Sequence, residues 1–109
     1  MESTPEIVFR DVQKTEALED LINEKIKKLE TFADNIISCR VAVEKPQSHQ
    51  RSGRPYEVNI TVKVPGHKDV IIKRSANKGT KHEDLKTLLN EAFDAANRQL
   101  KKIEKKKRG

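Results

Sequence analysis

The sequence predicts an α+β domain with the order β-α-β-β-β-α, in which two helices pack on one face of a four-stranded sheet. Three observations carry this. Two segments, around 18–32 and 85–103, repeat apolar residues at spacings of three and four. Two segments between them alternate apolar and polar residues with a period of two, and a third, 69–74, reads as a further strand. Only one face of those strands is apolar, so both amphipathic helices must share it. With 109 residues the chain reads as a single domain, 1–109. A chain of this size buries about 60–65% of its unfolded surface, enough for one modest core but not for a large enclosed substrate cavity.

The first strand candidate is EIVFR, centred on Ile7, Val8 and Phe9. After polar DVQKT, Thr15 is placed to cap a helix whose first turn carries Glu16, Glu19 and Asp20. Leu18, Leu21, Ile22, Ile26, Leu29 and Phe32 form its apolar stripe. Lys25 falls within that stripe, with Lys28 beside it and Lys27 pointing away. Two accounts of Lys25 are compatible: its methylenes snorkel past the sheet edge, and with Lys28 it forms a basic ledge one turn apart.

From Ile37 to Lys45, residues Ile37, Cys39, Val41 and Val43 face one way and Ser38, Arg40, Ala42 and Glu44 the other. PQSHQRSGRP is a polar connection with Pro46, Gly53 and Pro55. Alternation resumes over Tyr56–Val64, Pro65 and Gly66 mark a tight turn, and 69–74 forms the last strand. SANKGTKHED is a second polar loop, and a long helix is expected to begin near Thr80–Glu83, with Glu83 and Asp84 in its first turn. Its stripe is Leu85, Leu88, Leu89, Ala92, Phe93, Ala96, Leu100 and Ile103. Cations crowd its end, in agreement with the helix dipole, and the basic terminus 101–109 is expected to fray or be partly disordered.

The net charge of +6 hides an uneven distribution. Residues 1–39 carry −4, 40–81 carry +7, 82–97 carry −3 and 98–109 carry +6. A basic middle and a basic end therefore interrupt two acidic segments, an asymmetry that favours a polyanionic partner. Cys39 is the single cysteine, which excludes an internal disulfide or a cysteine metal cluster, and it reads as a small buried residue. No apolar run approaches the roughly 20 residues that span a bilayer, and the N-terminus lacks a basic start with a long apolar stretch, so a cytoplasmic protein without membrane contact is expected.

Phe9, Phe32 and Phe93 all fall at apolar positions, leaving Tyr56 at a strand margin, too few aromatics for a base-stacking platform. His49, His67 and His82 have no metal-ligand spacing and read as turn residues. No serine lies in a nucleophile elbow, Cys39 points inward, and KGTKHED lacks the phosphate-loop pattern. No catalytic residue, metal, cofactor or small-molecule substrate is therefore expected. What remains is phosphate recognition by a basic surface, with shape rather than base sequence selecting the target.

Three pieces, TEALEDLINEKIKKLETFADNI, CRVAVEK and AFDAANRQLKKIEKKK, in this order and spacing, resemble the bacterial ribosome hibernation-promoting factors and ribosome-associated inhibitors, also called sigma-54 modulation proteins. The resemblance covers nearly the whole chain and is to the short form, without the extra C-terminal domain of long members. It implies parallel helices and an outline like a double-stranded RNA-binding domain. It also implies a non-catalytic translation inhibitor, acting in stress or stationary phase, that binds the small ribosomal subunit and its rRNA and occludes the mRNA and tRNA decoding channel. By the same resemblance Lys25, Lys28, Arg98, Lys101, Lys102 and Lys105 approach rRNA, as do Arg74 and Lys78 in a segment more elaborate than in compact members. Two other readings stay open: a general structured-RNA-binding domain acting away from the ribosome, and recruitment of a protein partner by the sheet edge or tail.

Overall fold

A computed structural model describes residues 1–33, 35–45, 56–76 and 84–108. The elements are β1 (Glu6–Arg10), α1 (Glu16–Phe32), β2 (Ser38–Glu44), β3 (Glu57–Lys63), β4 (Val70–Ser75) and α2 (Leu85–Arg108), in the expected order. The strands lie side by side in sequence order, with β1 parallel to β2 and the remaining pairs antiparallel.

Strand register explains the sidedness read from alternation. Ile7, Val41, Ile60 and Ile72 form one row across the sheet, and Phe9, Val43 and Val58 another, all on the helix side. Against them pack Leu18, Ile22, Ile26 and Leu29 of α1 and Leu85, Leu89, Phe93, Ala96 and Leu100 of α2. Phe93, the largest of these side chains, has no exposed surface. Leu21 and Phe32 are only half-buried, because on the helical wheel they turn from the sheet toward α2.

Local chemistry sets the ends of α1. The Thr15 hydroxyl accepts the Leu18 backbone N–H at 3.2 Å, satisfying one orphan donor of the first turn, and Glu16 and Glu19 lie at the favourable end of the dipole. Asp11 and Asn35, residue types that tolerate left-handed backbone, take φ of 56° and 61° on either side of the helix. Thr15→Ala is expected to lower stability by about 1 kcal/mol, read as a shift in urea midpoint at unchanged slope.

Gly66 takes φ of +71° in the β3–β4 connection, the left-handed conformation its turn needs. Described α2 begins at Leu85, so its first turn has no acidic residue and Asp84 precedes it. The expected start at 80–83 and the 46–55 connection lie outside the described residues. At its other end α2 runs to Arg108, with buried Leu100 and Ile103 tying the approach to that end onto the body.

Cys39 is buried on the helix side, and burial pushes its thiol up to about 12, with the Glu30 carboxylate adding to the effect. The reactive thiolate is therefore suppressed at neutral pH. Iodoacetamide at pH 8 should label Cys39 only as fast as the protein opens, and rapidly in urea; rapid labelling of folded protein would contradict this burial.

Candidate nucleic-acid interface

The two helices are parallel. Lys86, in the first turn of α2, lines the same cleft as Thr15, Leu18, Leu21 and Glu24 near the start of α1. At the other end, the Lys101 ammonium lies 4.2 Å from the centre of the Phe32 ring, in the last turn of α1. A cation over an aromatic face is attracted by the ring quadrupole. Seven residues of α2 follow Lys101, carrying the helix about 10 Å beyond the level of Phe32.

This orientation sorts the molecule into two ends. Arg10, Glu44, Glu57 and Ser75 lie together at the end where both helices start. Ser38, Lys63 and Val70 lie at the end where both helices finish. Of the residues expected to meet RNA, Arg98, Lys101, Lys102 and Lys105 are exposed on one face of α2, spaced three and four apart. Lys28 is exposed and Lys25 half-buried on the side of α1 that faces α2. Lys25, Lys28 and Lys101 flank the distal half of the inter-helix groove, and Arg98, Lys102 and Lys105 lie on the outer face of the finishing half of α2.

Arg74 does not join them. It pairs in register with Val58 near the finish of edge strand β4, at the opposite end, and its guanidinium donates to the Lys73 carbonyl at 3.0 Å. Lys78 lies outside the described residues.

Two residues absent from the expected set do sit at the distal end. Lys63 closes β3, and Lys68 occupies the exposed turn before β4, together with His67. Their closeness to the helix finishes arises from strand pairing over long sequence separation, which no local pattern displays. The available signal was topological: the turn between β3 and β4 must lie opposite the β2–β3 connection.

The basic middle of the sequence is weaker as a surface than its charge suggests. On the open face of the sheet, Arg40 is paired with Glu6, Arg10 with Glu44 at 3.9 Å, and Lys73 with Glu57 at 3.2 Å. Lys45 lies over the Tyr56 ring, 5.3 Å from its centre. Four other cations of that segment, Arg51, Arg54, Lys78 and Lys81, lie outside the described residues. Cross-strand carboxylates thus neutralise much of the open face, whereas the described cations at the helix finishes lack comparable partners.

The start of the groove has the opposite character. A cleft of about 520 Å³, lined by Thr15, Ala17, Leu18, Asp20, Leu21, Glu24 and Lys86, carries two carboxylates against one ammonium. Phosphate is repelled there and attracted at the other end. Among the described residues no cluster of His, Cys, Asp and Glu could hold a metal ion, and no helix is long and apolar enough to cross a membrane.

Residues 6–108 match the profile of the family described as Sigma 54 modulation protein / S30EA ribosomal protein. The chain belongs to this family. The family is non-catalytic, in keeping with the lack of a nucleophile or acid–base constellation in the sequence. A Deinococcus radiodurans protein named ribosome hibernation promotion factor is 29% identical over 96 residues, covering 86% of this chain and 45% of its own length. The chain thus spans about half the length of that relative. The Thermus thermophilus Protein Y N-terminal domain superposes with a TM-score of 0.69 at 19% identity, covering 94% of this chain and 99% of that one. A ribosomal subunit interface protein from Coxiella burnetii gives 0.65 at 17% identity, covering 92% and 96%. At these identities the structural matches establish the shared fold.

Proposed function

We propose that this chain is a ribosome-associated factor of the hibernation type, which seats its basic end on small-subunit rRNA and holds the mRNA and tRNA decoding channel closed by occupancy. The observation that carries the reading is the placement of Lys25, Lys28, Arg98, Lys101, Lys102 and Lys105 along the finishing halves of two parallel helices. Lys63 and Lys68 extend that surface across the sheet end. The names of its relatives, a hibernation promotion factor and a ribosomal subunit interface protein, supply the ribosomal context.

The chemistry fits a structured RNA. Lysines and arginines neutralise phosphates and fix orientation without reading sequence. Phe93 is fully buried, Phe9 packs at the core margin and the half-buried Phe32 ring is covered by the Lys101 ammonium, so recognition rests on charge and shape rather than base stacking. The projecting end of α2 gives the contact reach, and the packed body behind it supplies bulk. Mechanism is then steric: no bond is made or broken, and release requires only that the phosphate contacts be lost.

The direct test is cosedimentation with purified small subunits, with inhibition of cell-free translation measured in parallel. Binding and inhibition over the same concentration range support the proposal. Equal affinity for unrelated duplex RNA without inhibition would instead support a general RNA-binding domain acting away from the ribosome.

A further inference from the structure

We propose that Asn97, with Lys25, Lys28 and Lys101, forms a ribonucleotide subsite in the groove between α1 and α2. The Asn97 side-chain oxygen accepts a hydrogen bond from a ribose 2′-hydroxyl, and the lysines hold the adjoining phosphate. This rests on the RNA-binding reading above and adds to it a group that distinguishes RNA from DNA.

The starting observation is an orphaned polar atom. Asn97 is the buried polar residue among the described residues, 8% exposed, and its Oδ1 has no hydrogen-bond partner there. A buried acceptor left unpaired is costly, and a native structure that keeps one invites a functional explanation. Leucine or alanine would pack at this position without that cost.

Its surroundings narrow the ligand. Asn97 lies one turn before Lys101, whose ammonium sits over Phe32, so in parallel helices it falls near the level of Lys28. Its place on the wheel, about 40° from Phe93, turns it toward α1. Lys25 and Lys28 line the facing side of α1, and Lys25 is half-buried within an otherwise apolar stripe. Here an unsatisfied acceptor and three cations share one stretch of groove. A ligand satisfying both needs a hydrogen-bond donor beside an anion, which a ribose phosphate carries and a deoxyribose phosphate lacks at its sugar. Contact requires the terminal amide torsion, which is broad, to turn the buried oxygen toward the groove mouth as the ribose enters. The carboxylates of Asp20 and Glu24 confine the anion to this half of the groove.

The test measures binding to small subunits across a salt series for the wild type, Asn97→Leu and Asn97→Ala, with thermal unfolding to identify which variants are folded. A folded variant should bind roughly three- to tenfold more weakly at an unchanged salt slope, since a neutral hydrogen bond is lost and no counterion is involved. Wild-type affinity in a folded variant would overturn the proposal. A competing RNA hairpin should displace wild-type protein better than its 2′-fluoro counterpart, which keeps A-form shape without the donor, and the difference should vanish for Asn97→Leu. Equal competition against the wild type, or none by either hairpin, also overturns it. Failure of the wild type itself to bind small subunits would mark instead the failure of the underlying RNA-binding reading.

Discussion

Reversing Lys101 and Lys102 to glutamate should weaken small-subunit binding by about 100-fold at physiological salt, taking each charge-assisted phosphate contact at about 1.5 kcal/mol. The slope of log affinity against log salt should become shallower by about two, one for each phosphate contact removed. Both side chains are exposed, so folding should be preserved. Loss of the Lys101 contact with the Phe32 ring should add a small destabilisation visible in thermal unfolding. The matched control is Lys27→Glu with Lys86→Glu, on the outer side of α1 and at the acidic start of the groove, which changes net charge equally. If that pair weakens binding as much as Lys101 and Lys102, total charge rather than its placement governs the interaction, and the distal groove loses its assigned role.

Phe93→Ala should fail differently. Phe93 has no exposed surface and lies where α2 meets the sheet, so its removal takes away the largest wholly buried side chain and leaves a cavity. A loss of about 3–5 kcal/mol is expected, a large share of the roughly 5–15 kcal/mol available to a domain. Thermal unfolding should report a midpoint lower by roughly 15–30 °C. Ribosome binding by the fraction still folded should be unchanged, because Phe93 touches no solvent. A shift of only a degree or two would mean that α2 is not held by this core.

The contrast between these variants reflects what a sequence can display. Core positions were legible because burial imposes a period: Leu18, Ile22, Ile26 and Leu29 at helical spacing, and Val58, Ile60 and Val62 at strand spacing, all proved buried. The Thr15 cap was legible because its chemistry is local. The lysines of the two helix finishes could be grouped because each set is continuous on its own helix, and the parallel packing then brought the sets together.

What was not legible depends on pairing between distant segments. Arg40 and Lys73 count toward a basic middle in the sequence, yet Glu6 and Glu57 neutralise them across the sheet. Arg74 is charged and exposed but stands at the wrong end of a strand to join the helix finishes. Lys63 and Lys68 stand at the right end and carry no local signature. Asn97 reads as one more polar residue on a long helix until the structure shows its oxygen buried and without a partner among the described residues.

The central claim is occupancy of the decoding channel, and simultaneous binding tests it most directly. Small subunits already carrying mRNA with tRNA in the A and P sites should be mixed with labelled protein and separated on a gradient. The account predicts that filled subunits exclude the protein while empty subunits retain it, and that added protein in excess displaces mRNA and tRNA. Recovery of the protein together with mRNA and both tRNAs on the same subunits would contradict it.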